Sequence, residues 1–134
     1  MRLQEGNLEG ALEVLQKALA IDPKLAKTHF FLGSALKSLS RYDEALEHTR
    51  VAQALYPRDR VVTNQAGRLL FLKRQHQQAT AELQKVLAVD PEDLMAHYNL
   101  MLAYQGQGNE EMAMKHRALY ERFKADEAAQ FITG

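Results

Sequence analysis

The 134-residue chain contains no cysteine and no tryptophan, and it has only three prolines. Without cysteine, the chain can form no disulfide, no thiolate nucleophile and no cysteine-ligated metal site. Basic and acidic residues each total 17, so the formal net charge is zero and gives no reason to expect binding to nucleic acid or membranes. No apolar run approaches the roughly 18 residues of a membrane-spanning helix, and the amino-terminal sequence lacks the pattern of a signal peptide. The composition is that of a folded globular chain, and it does not specify a compartment.

The three prolines mark an internal repeat, since Pro23, Pro57 and Pro91 are separated by 34 residues each. The same period relates four alanines, namely Ala11, Ala45, Ala79 and Ala113. Within one period, apolar residues recur every three or four positions, which is typical of helices with one buried face. A polar interruption near the middle and a proline at the end divide each period into two short helices. The sequence therefore predicts stacked pairs of antiparallel helices and no β-strand.

The period also predicts how the chain is divided. We expect a partial repeat at 1–25 that holds only a second helix, full repeats at 26–59, 60–93 and 94–127, and a tail at 128–134. The helix of the partial repeat is predicted at about 7–21, after a turn at Gly6–Asn7. The first helices of the full repeats are predicted at about 26–39, 60–73 and 94–107. Because the partial repeat lacks a first helix, we expect the chain to be a fragment of a larger protein, or to complete that pair by association.

Several residues recur at the spacing of a known repeat family. In the first full unit they are Leu32, Gly33, Leu36, Ala45, Ala52 and Pro57, and in the second they are Gly67, Leu70, Ala79, Leu83 and Pro91. With these residues, nearly the whole chain resembles the tetratricopeptide repeat family. His29, Thr63 and His97 depart from it, because they occupy a position where the family often has tryptophan. The resemblance implies an all-α, right-handed superhelical solenoid of antiparallel helix pairs, with about seven helices in this chain, that binds other proteins.

Candidates for catalysis or metal binding are few. His29 and His97 share one repeat position, as do His48 and His116. Equivalent positions two repeats apart lie roughly 20 Å from each other, at about 10 Å per helix layer, whereas the bonds from ligands to a shared metal are ~2 Å long. The sequence has no Gly-x-Ser-x-Gly elbow and no phosphate-binding glycine loop. We therefore expect no enzyme activity, no catalytic residue, no cofactor and no metal.

The charged residues are segregated between the helices. None of the 17 acidic residues lies in the three first-helix segments, which are basic. In the proteins that this sequence resembles, first helices line the concave side of the superhelix and hold the ligand. The resemblance places these residues in a peptide-binding groove: Lys27, Phe30, Ser34, Lys37, Asn64, Arg68, Phe71, Met95, Tyr98, Asn99 and Leu102. Basic and aromatic side chains together predict an acidic protein segment as the partner.

Two functions from different classes follow from these patterns. The leading hypothesis is a non-enzymatic scaffold whose groove binds a peptide or helix of another protein. The alternative is a structural spacer or self-assembly segment of a multidomain chain, which the incomplete first pair favours. A predicted apolar side of the amino-terminal helix, formed by Leu8, Leu12, Leu15 and Leu19, suggests a homodimer through this helix. Zero net charge disfavours RNA, so neither nucleic acid nor membrane is expected as a partner.

Overall fold

The computed structural model describes the backbone of residues 2–133 and the side chains of residues 7–132. Those residues form seven α-helices joined by short turns, and none of them lies in a strand. The helices are α1 (Arg2–Ile21), α2 (Ala26–Ser38), α3 (Tyr42–Leu55), α4 (Arg60–Leu72), α5 (His76–Val89), α6 (Leu94–Gln107) and α7 (Glu110–Thr133). The all-α solenoid of seven helices, predicted from the repeat period, is confirmed.

The helices form two layers. Each first helix (α2, α4 and α6) packs against the second helix that follows it and against the second helix before it. First helices also contact one another, since α4 touches both α2 and α6. The backbones of the second helices (α1, α3, α5 and α7) do not approach each other as closely within the described residues, and long side chains bridge the gap, as between Arg50 of α3 and Glu82 of α5. A stack whose first helices touch while its second helices are spread apart curves, so the first helices line its inner, concave side.

Small and large side chains alternate where the helices cross. Ala45, Ala79 and Ala113 are fully buried on the second helices, where a methyl group lets the neighbouring backbone come close. Large aliphatic side chains that are completely buried fill the space beside them: Leu32, Leu69, Leu83 and Leu100. The 34-residue period is visible in the sequence because every repeat needs small and large side chains at the same helix crossings.

The turn inside each full repeat uses one residue in the left-handed conformation. Ser40 has φ 61°, Arg74 has φ 62° and Gly108 has φ 78°, and the three positions are one period apart. The backbone N–H two residues beyond the end of α4 bonds back to α4, from Arg74 to the carbonyl of Phe71. Such a tight reversal requires a positive φ, which only glycine adopts without strain.

Arg74→Gly is therefore expected to stabilise the protein, by about 0.5–1 kcal/mol. A non-glycine residue in this conformation costs roughly 1–2 kcal/mol, and part of the gain is offset by the greater flexibility of glycine in the unfolded chain. Urea unfolding followed by circular dichroism measures the change. Gly108→Ala, at the equivalent turn, should shift the stability in the opposite direction. Equal stability of Arg74→Gly and the wild type would contradict this account of the turn.

Both ends of the chain differ from the prediction. Gly6 and Asn7 were expected to form a turn, but they lie inside α1, which begins at Arg2. The equivalent turns lie between two helices, whereas the helical hydrogen bonding of α1 continues through Gly6 and Asn7. The predicted tail at 128–134 is helical up to Thr133, because no proline ends α7. No helix among the described residues is long and apolar enough to cross a membrane.

Candidate functional site

A cleft of about 320 Å³ opens on the concave side, between α2, α4 and α6. Most of the predicted groove residues line it: Phe30, Ser34 and Lys37 from α2, Asn64 and Arg68 from α4, and Met95 and Asn99 from α6. Each helix contributes residues three or four positions apart, so one face of each first helix points into the cleft. The structure thus brings together side chains that lie up to 69 positions apart in the sequence.

Arg68 lies at the centre of this group and is held from several sides. Its Nη1 donates a hydrogen bond to Asn99 Oδ1 at 3.0 Å. Its guanidinium carbon lies 5.9 Å from the ring centres of both Phe71 and Tyr98, which is within the range of cation–π attraction. A guanidinium carries five N–H donors, so one bond to Asn99 leaves others to meet a ligand. Phe71 and Tyr98, both predicted for the groove, thus flank the charge rather than line the cleft itself.

A second cation lies close to Arg68. Burial of the Lys37 side chain, together with the positive charge of Arg68, lowers the pKa of the Lys37 ammonium below its ordinary value. Two cations that disfavour each other create a local excess of positive charge, which an anion would relieve.

Asp93 is a residue of this cleft that the sequence argument missed. It immediately precedes α6 and accepts a hydrogen bond from the backbone N–H of Ala96, so it caps the helix. It also pairs with Arg60 at 2.6 Å and accepts a hydrogen bond from Asn64 Nδ2 at 3.0 Å. Arg60 also pairs with Asp90 at 2.7 Å, so the Asp93 carboxylate shares one cation with a second acid and partly offsets the positive charge of Lys37 and Arg68. The signal was present, because an aspartate before a helix is a common cap.

The two asparagines of the predicted groove have different surroundings. Asn99 is buried and uses its side-chain oxygen to accept the bond from Arg68. Asn64 is also buried, but its Oδ1 has no hydrogen-bond partner in the described part of the chain. A buried acceptor without a donor is costly, and because this atom is closed off from solvent, a ligand in the cleft does not reach it directly.

Two predicted groove residues lie elsewhere. Lys27 is exposed at the rim of a separate cleft of about 410 Å³, where the start of α2 faces the turn between α3 and α4. The side chains that make this second cleft apolar include Leu25, Phe31 and Tyr56, which sequence reasoning did not single out. Leu102 is partly buried on α6 and lines neither cleft.

The four leucines predicted as an exposed stripe on α1 face the core instead. Leu12 is only 3% exposed, and Leu8, Leu15 and Leu19 pack against the same cluster, which contains Leu32. The prediction assigned the stripe to the wrong neighbour. These side chains face α2, the helix that follows them, just as Leu46 of the next repeat packs against residues of α4. Leu12 is therefore not available for association, and the other three offer only partly exposed side chains.

The histidines pair in a way that the repeat positions alone did not suggest. His29 and His48 meet across α2 and α3 with their Nδ1 atoms 3.0 Å apart, and His97 and His116 meet across α6 and α7 in the same geometry. Nε2 of His97 lies 2.8 Å from the carbonyl oxygen of Pro91, so it must donate. His97 Nδ1 is then an acceptor, and His116 Nδ1 donates to it. No group of three or more metal-ligating side chains occurs among the described residues.

The middle repeat replaces this pair with Thr63 and Glu82. The Glu82 carboxylate is almost fully buried and receives hydrogen bonds from Arg50 and Gln53 of the preceding helix α3. Burial raises the pKa of this carboxyl, but the bond from Gln53 and the charges of Arg50 and Lys85 outweigh it, so the pKa is lowered. Glu82 thus links two repeats and has the surroundings of a structural ion pair.

Comparison with known proteins gives the fold independently. Residues 1–40 match the TPR repeat family. The chain is similar to a crystal structure of MamA, with 23% identity, 91% of this chain and 71% of that chain covered, and a TM-score of 0.82. It is also similar to MamA 41-end from Desulfovibrio magneticus RS-1, with 26% identity, coverage of 90% and 68%, and a TM-score of 0.79. No curated protein matches this sequence significantly.

Proposed function

We propose that this tetratricopeptide-repeat solenoid is a non-enzymatic scaffold that binds an extended, acidic segment of another protein in the cleft between α2, α4 and α6. The observation that carries the proposal is the arrangement around Arg68. A guanidinium flanked by two aromatic rings, with Lys37 beside it and no acid on the three first helices, suits a carboxylate followed by an apolar side chain.

The polar groups of the cleft support an extended peptide as the ligand. The guanidinium of Arg68, which bonds Asn99 through Nη1, keeps N–H donors that could bond backbone carbonyl groups of the peptide. Exposed Met95 and half-buried Phe30 offer apolar contacts within the same cleft. The cleft is open along the array and has no enclosed chamber in which water would be excluded from a reaction, which favours binding over catalysis.

Arg68→Glu should weaken the binding of acidic peptides about tenfold or more. A charge-assisted hydrogen bond contributes about 1.5–3 kcal/mol, and each 1.4 kcal/mol corresponds to a factor of ten in affinity. The probes are short labelled peptides that alternate Asp or Glu with Leu or Phe, measured by fluorescence anisotropy. The same peptides with Asn and Gln in place of the acids should bind weakly to both proteins.

The matched control is Lys17→Glu, which makes the same change of charge on an exposed position of α1, outside the cleft. It should leave the affinity within about twofold, because exposed charges at a distance are screened by salt. If Arg68→Glu and Phe71→Ala both bind the acidic peptides as the wild type does, while remaining helical, the site lies elsewhere. Binding that Lys17→Glu weakens equally would indicate only non-specific attraction.

A structural spacer or self-assembly role remains the second candidate function, including a homodimer through the amino-terminal helix. The observation in its favour is the set of apolar side chains exposed on α1, with Val14 66% and Ile21 86% exposed. Since Leu12 is buried and Leu8, Leu15 and Leu19 are half-buried against the core, self-association through α1 would use mainly Val14 and Ile21.

A further inference from the structure

The second cleft, which has Lys27 at its rim, adjoins the cleft that contains Arg68 (the Arg68 cleft). Phe30 and Val61 line both of them. The two clefts also occupy equivalent places in consecutive repeats. Five residues of the second cleft have a counterpart 34 positions later in the Arg68 cleft: Lys27, Phe30, Phe31, Asp59 and Val61 correspond to Val61, Asn64, Gln65, Asp93 and Met95. The concave groove therefore continues from the Arg68 cleft into the second cleft, one repeat earlier.

The second cleft is open because a bridging arginine is missing from it. In the following repeat, Arg60 pairs with Asp90 at 2.7 Å and with Asp93 at 2.6 Å, and so joins the start of α4 to the turn before α6. The residues equivalent to Arg60 and Asp90 are Ala26 and Tyr56, which cannot form this bridge. The side chains of the bridge belong to the two helices and the turn that surround it, so the opening results from Ala26 and Tyr56, whatever precedes α1.

Large apolar side chains converge on the second cleft and remain in contact with solvent. Phe30 and Phe31 form an edge-to-face pair with their ring centres 5.4 Å apart. The exposed apolar residues of the lining are Leu25 at 45%, Phe31 at 46%, Tyr56 at 62% and Val61 at 62%. The cleft of about 410 Å³ has the size of a ligand site and has room for an aromatic side chain. Apolar surface gathered in one concave place is typical of an interaction site.

The charges of the second cleft favour an apolar occupant over an ion. Its charged lining residues are Lys27 and Asp59, which have opposite signs. The Asp59 carboxylate accepts hydrogen bonds from the backbone N–H groups of Val61 and Val62, so it caps α4. The excess of positive charge lies in the neighbouring cleft, at Lys37 and Arg68. One groove thus offers a cationic place and an apolar place side by side.

We propose that the second cleft binds a large apolar side chain of the same acidic segment whose carboxylate binds Arg68. This inference rests on the proposed function and specifies the ligand further. Neighbouring packed helices such as α2 and α4 lie about 10 Å apart, and an extended chain advances about 3.3 Å per residue. The ligand should therefore carry its apolar residue three or four positions from the acid.

The test compares labelled acidic peptides that are identical except for one position, four residues from an aspartate, which holds phenylalanine or alanine. The phenylalanine follows the aspartate in one pair of peptides and precedes it in another, so both directions of the chain are covered. In one direction the phenylalanine peptide should bind about tenfold more tightly by fluorescence anisotropy, because its ring leaves water. A peptide with the phenylalanine next to the aspartate should lose most of this gain.

Variants of the protein locate the gain. Ala26→Arg with Tyr56→Asp recreates the ion pair of the next repeat without changing the net charge, and the equivalent Arg60 side chain is 42% exposed, so an arginine has room. This double variant should bind the phenylalanine peptide as weakly as the alanine peptide, whose affinity should not change. Phe31→Gln, at an exposed position, should weaken only the phenylalanine peptide, several-fold. The control is Met114→Gln, on an exposed position outside both clefts, which should leave both affinities within about twofold.

The outcomes separate this inference from the proposed function. If Arg68→Glu weakens both peptides but phenylalanine and alanine bind equally in both directions, the apolar subsite is wrong and the binding at Arg68 stands. The same holds if the double variant and Phe31→Gln, both helical by circular dichroism, weaken the two peptides alike. If Arg68→Glu weakens neither peptide, the proposed function fails and this inference fails with it. Self-association that the double variant abolishes and the peptide does not compete with would assign the second cleft to another copy of the chain.

Discussion

Gly33→Val should lower the free energy of unfolding by about 3 kcal/mol or more, among the largest effects of any single substitution in this chain. A Cβ atom at this position would lie 2.5 Å from Thr49 Oγ1, 2.7 Å from Gln65 Nε2 and 3.1 Å from the backbone oxygen of Ala45. The last of these atoms belongs to the backbone of α3, so the two helices would have to move apart.

The substitution would also break a buried chain of hydrogen bonds. Thr49 Oγ1 donates to the Ala45 carbonyl at 2.8 Å and accepts from Gln65 Nε2 at 2.8 Å. Gln65 lies on α4, so this chain joins the first full repeat to the second. Loss of its geometry would leave buried polar atoms unpaired, which adds to the steric cost.

Gly10→Ala is the matched control, because nothing lies within 4 Å of a Cβ built at Gly10 on the exposed side of α1. Only helix propensity applies there, and the variant should be stabilised by up to about 1 kcal/mol. Urea unfolding followed by circular dichroism compares the two. If Gly33→Val unfolds at the same urea concentration as the wild type, the helices have room that the structure does not show.

Acidification should destabilise the array through His116. Burial of the imidazole, and then the charges of His97 and Lys115, lower the pKa of His116 to about 4. The hydrogen-bond pattern gives the structural reason, since Nδ1 of His116 already donates to His97 and a second proton would go to Nε2. That atom is buried and has no partner in the described part of the chain.

The free energy of unfolding decreases on acidification because the unfolded and folded states bind the His116 proton at different pH values. In the unfolded chain the histidine pKa is about 6.5, so the unfolded state binds the proton first as the pH falls. The stability that neutral His116 contributes is complete above about pH 6.5 and is lost as the pH falls towards 4, by up to about 3 kcal/mol. Burial and the charge of His29 lower the pKa of His48 as well, so the first pair adds a change of the same sign.

His116→Phe separates this effect from the general titration of carboxylates. The variant keeps an aromatic ring against Tyr104, which stacks on His116 at 5.6 Å, but it cannot take up a proton. It should be less stable at neutral pH, because His97 Nδ1 loses its donor, and its stability should depend less on pH. Parallel pH profiles of the variant and the wild type would contradict the assignment to His116.

The architecture was predictable because it depends on spacing along the chain. Pro23, Pro57 and Pro91 end the second helices at fixed intervals, and alanines at the same period mark where helices cross. Equivalent positions in a stack of identical units have equivalent neighbours, so one period describes the whole array. The absence of acids marks the first-helix segments in the sequence, but their place on the concave side was expected only from the resemblance to tetratricopeptide repeats.

The repeat period does not predict which side chains of neighbouring helices contact each other. The repeat period relates His29 to His97, whereas the structure pairs His29 with His48 on the adjacent helix. Asp93 lies in the cleft because it caps the start of α6. It precedes the first-helix segment predicted at 94–107, so the periodicity did not include it. Such pairings depend on the angle and distance at which two helices cross, and the residues involved are determined by packing.

The sequence by itself determined that this protein is a stack of helix pairs whose first helices carry no acids, because the apolar pattern and the turns recur every 34 residues. Only the tertiary structure decided which side of α1 is open. Leu12 and Val14 are two residues apart and both apolar, so hydrophobicity does not distinguish them, but α2 covers the first and leaves the second in solvent. The rotation of α1 about its axis makes that difference, because two residues along a helix correspond to roughly 200°.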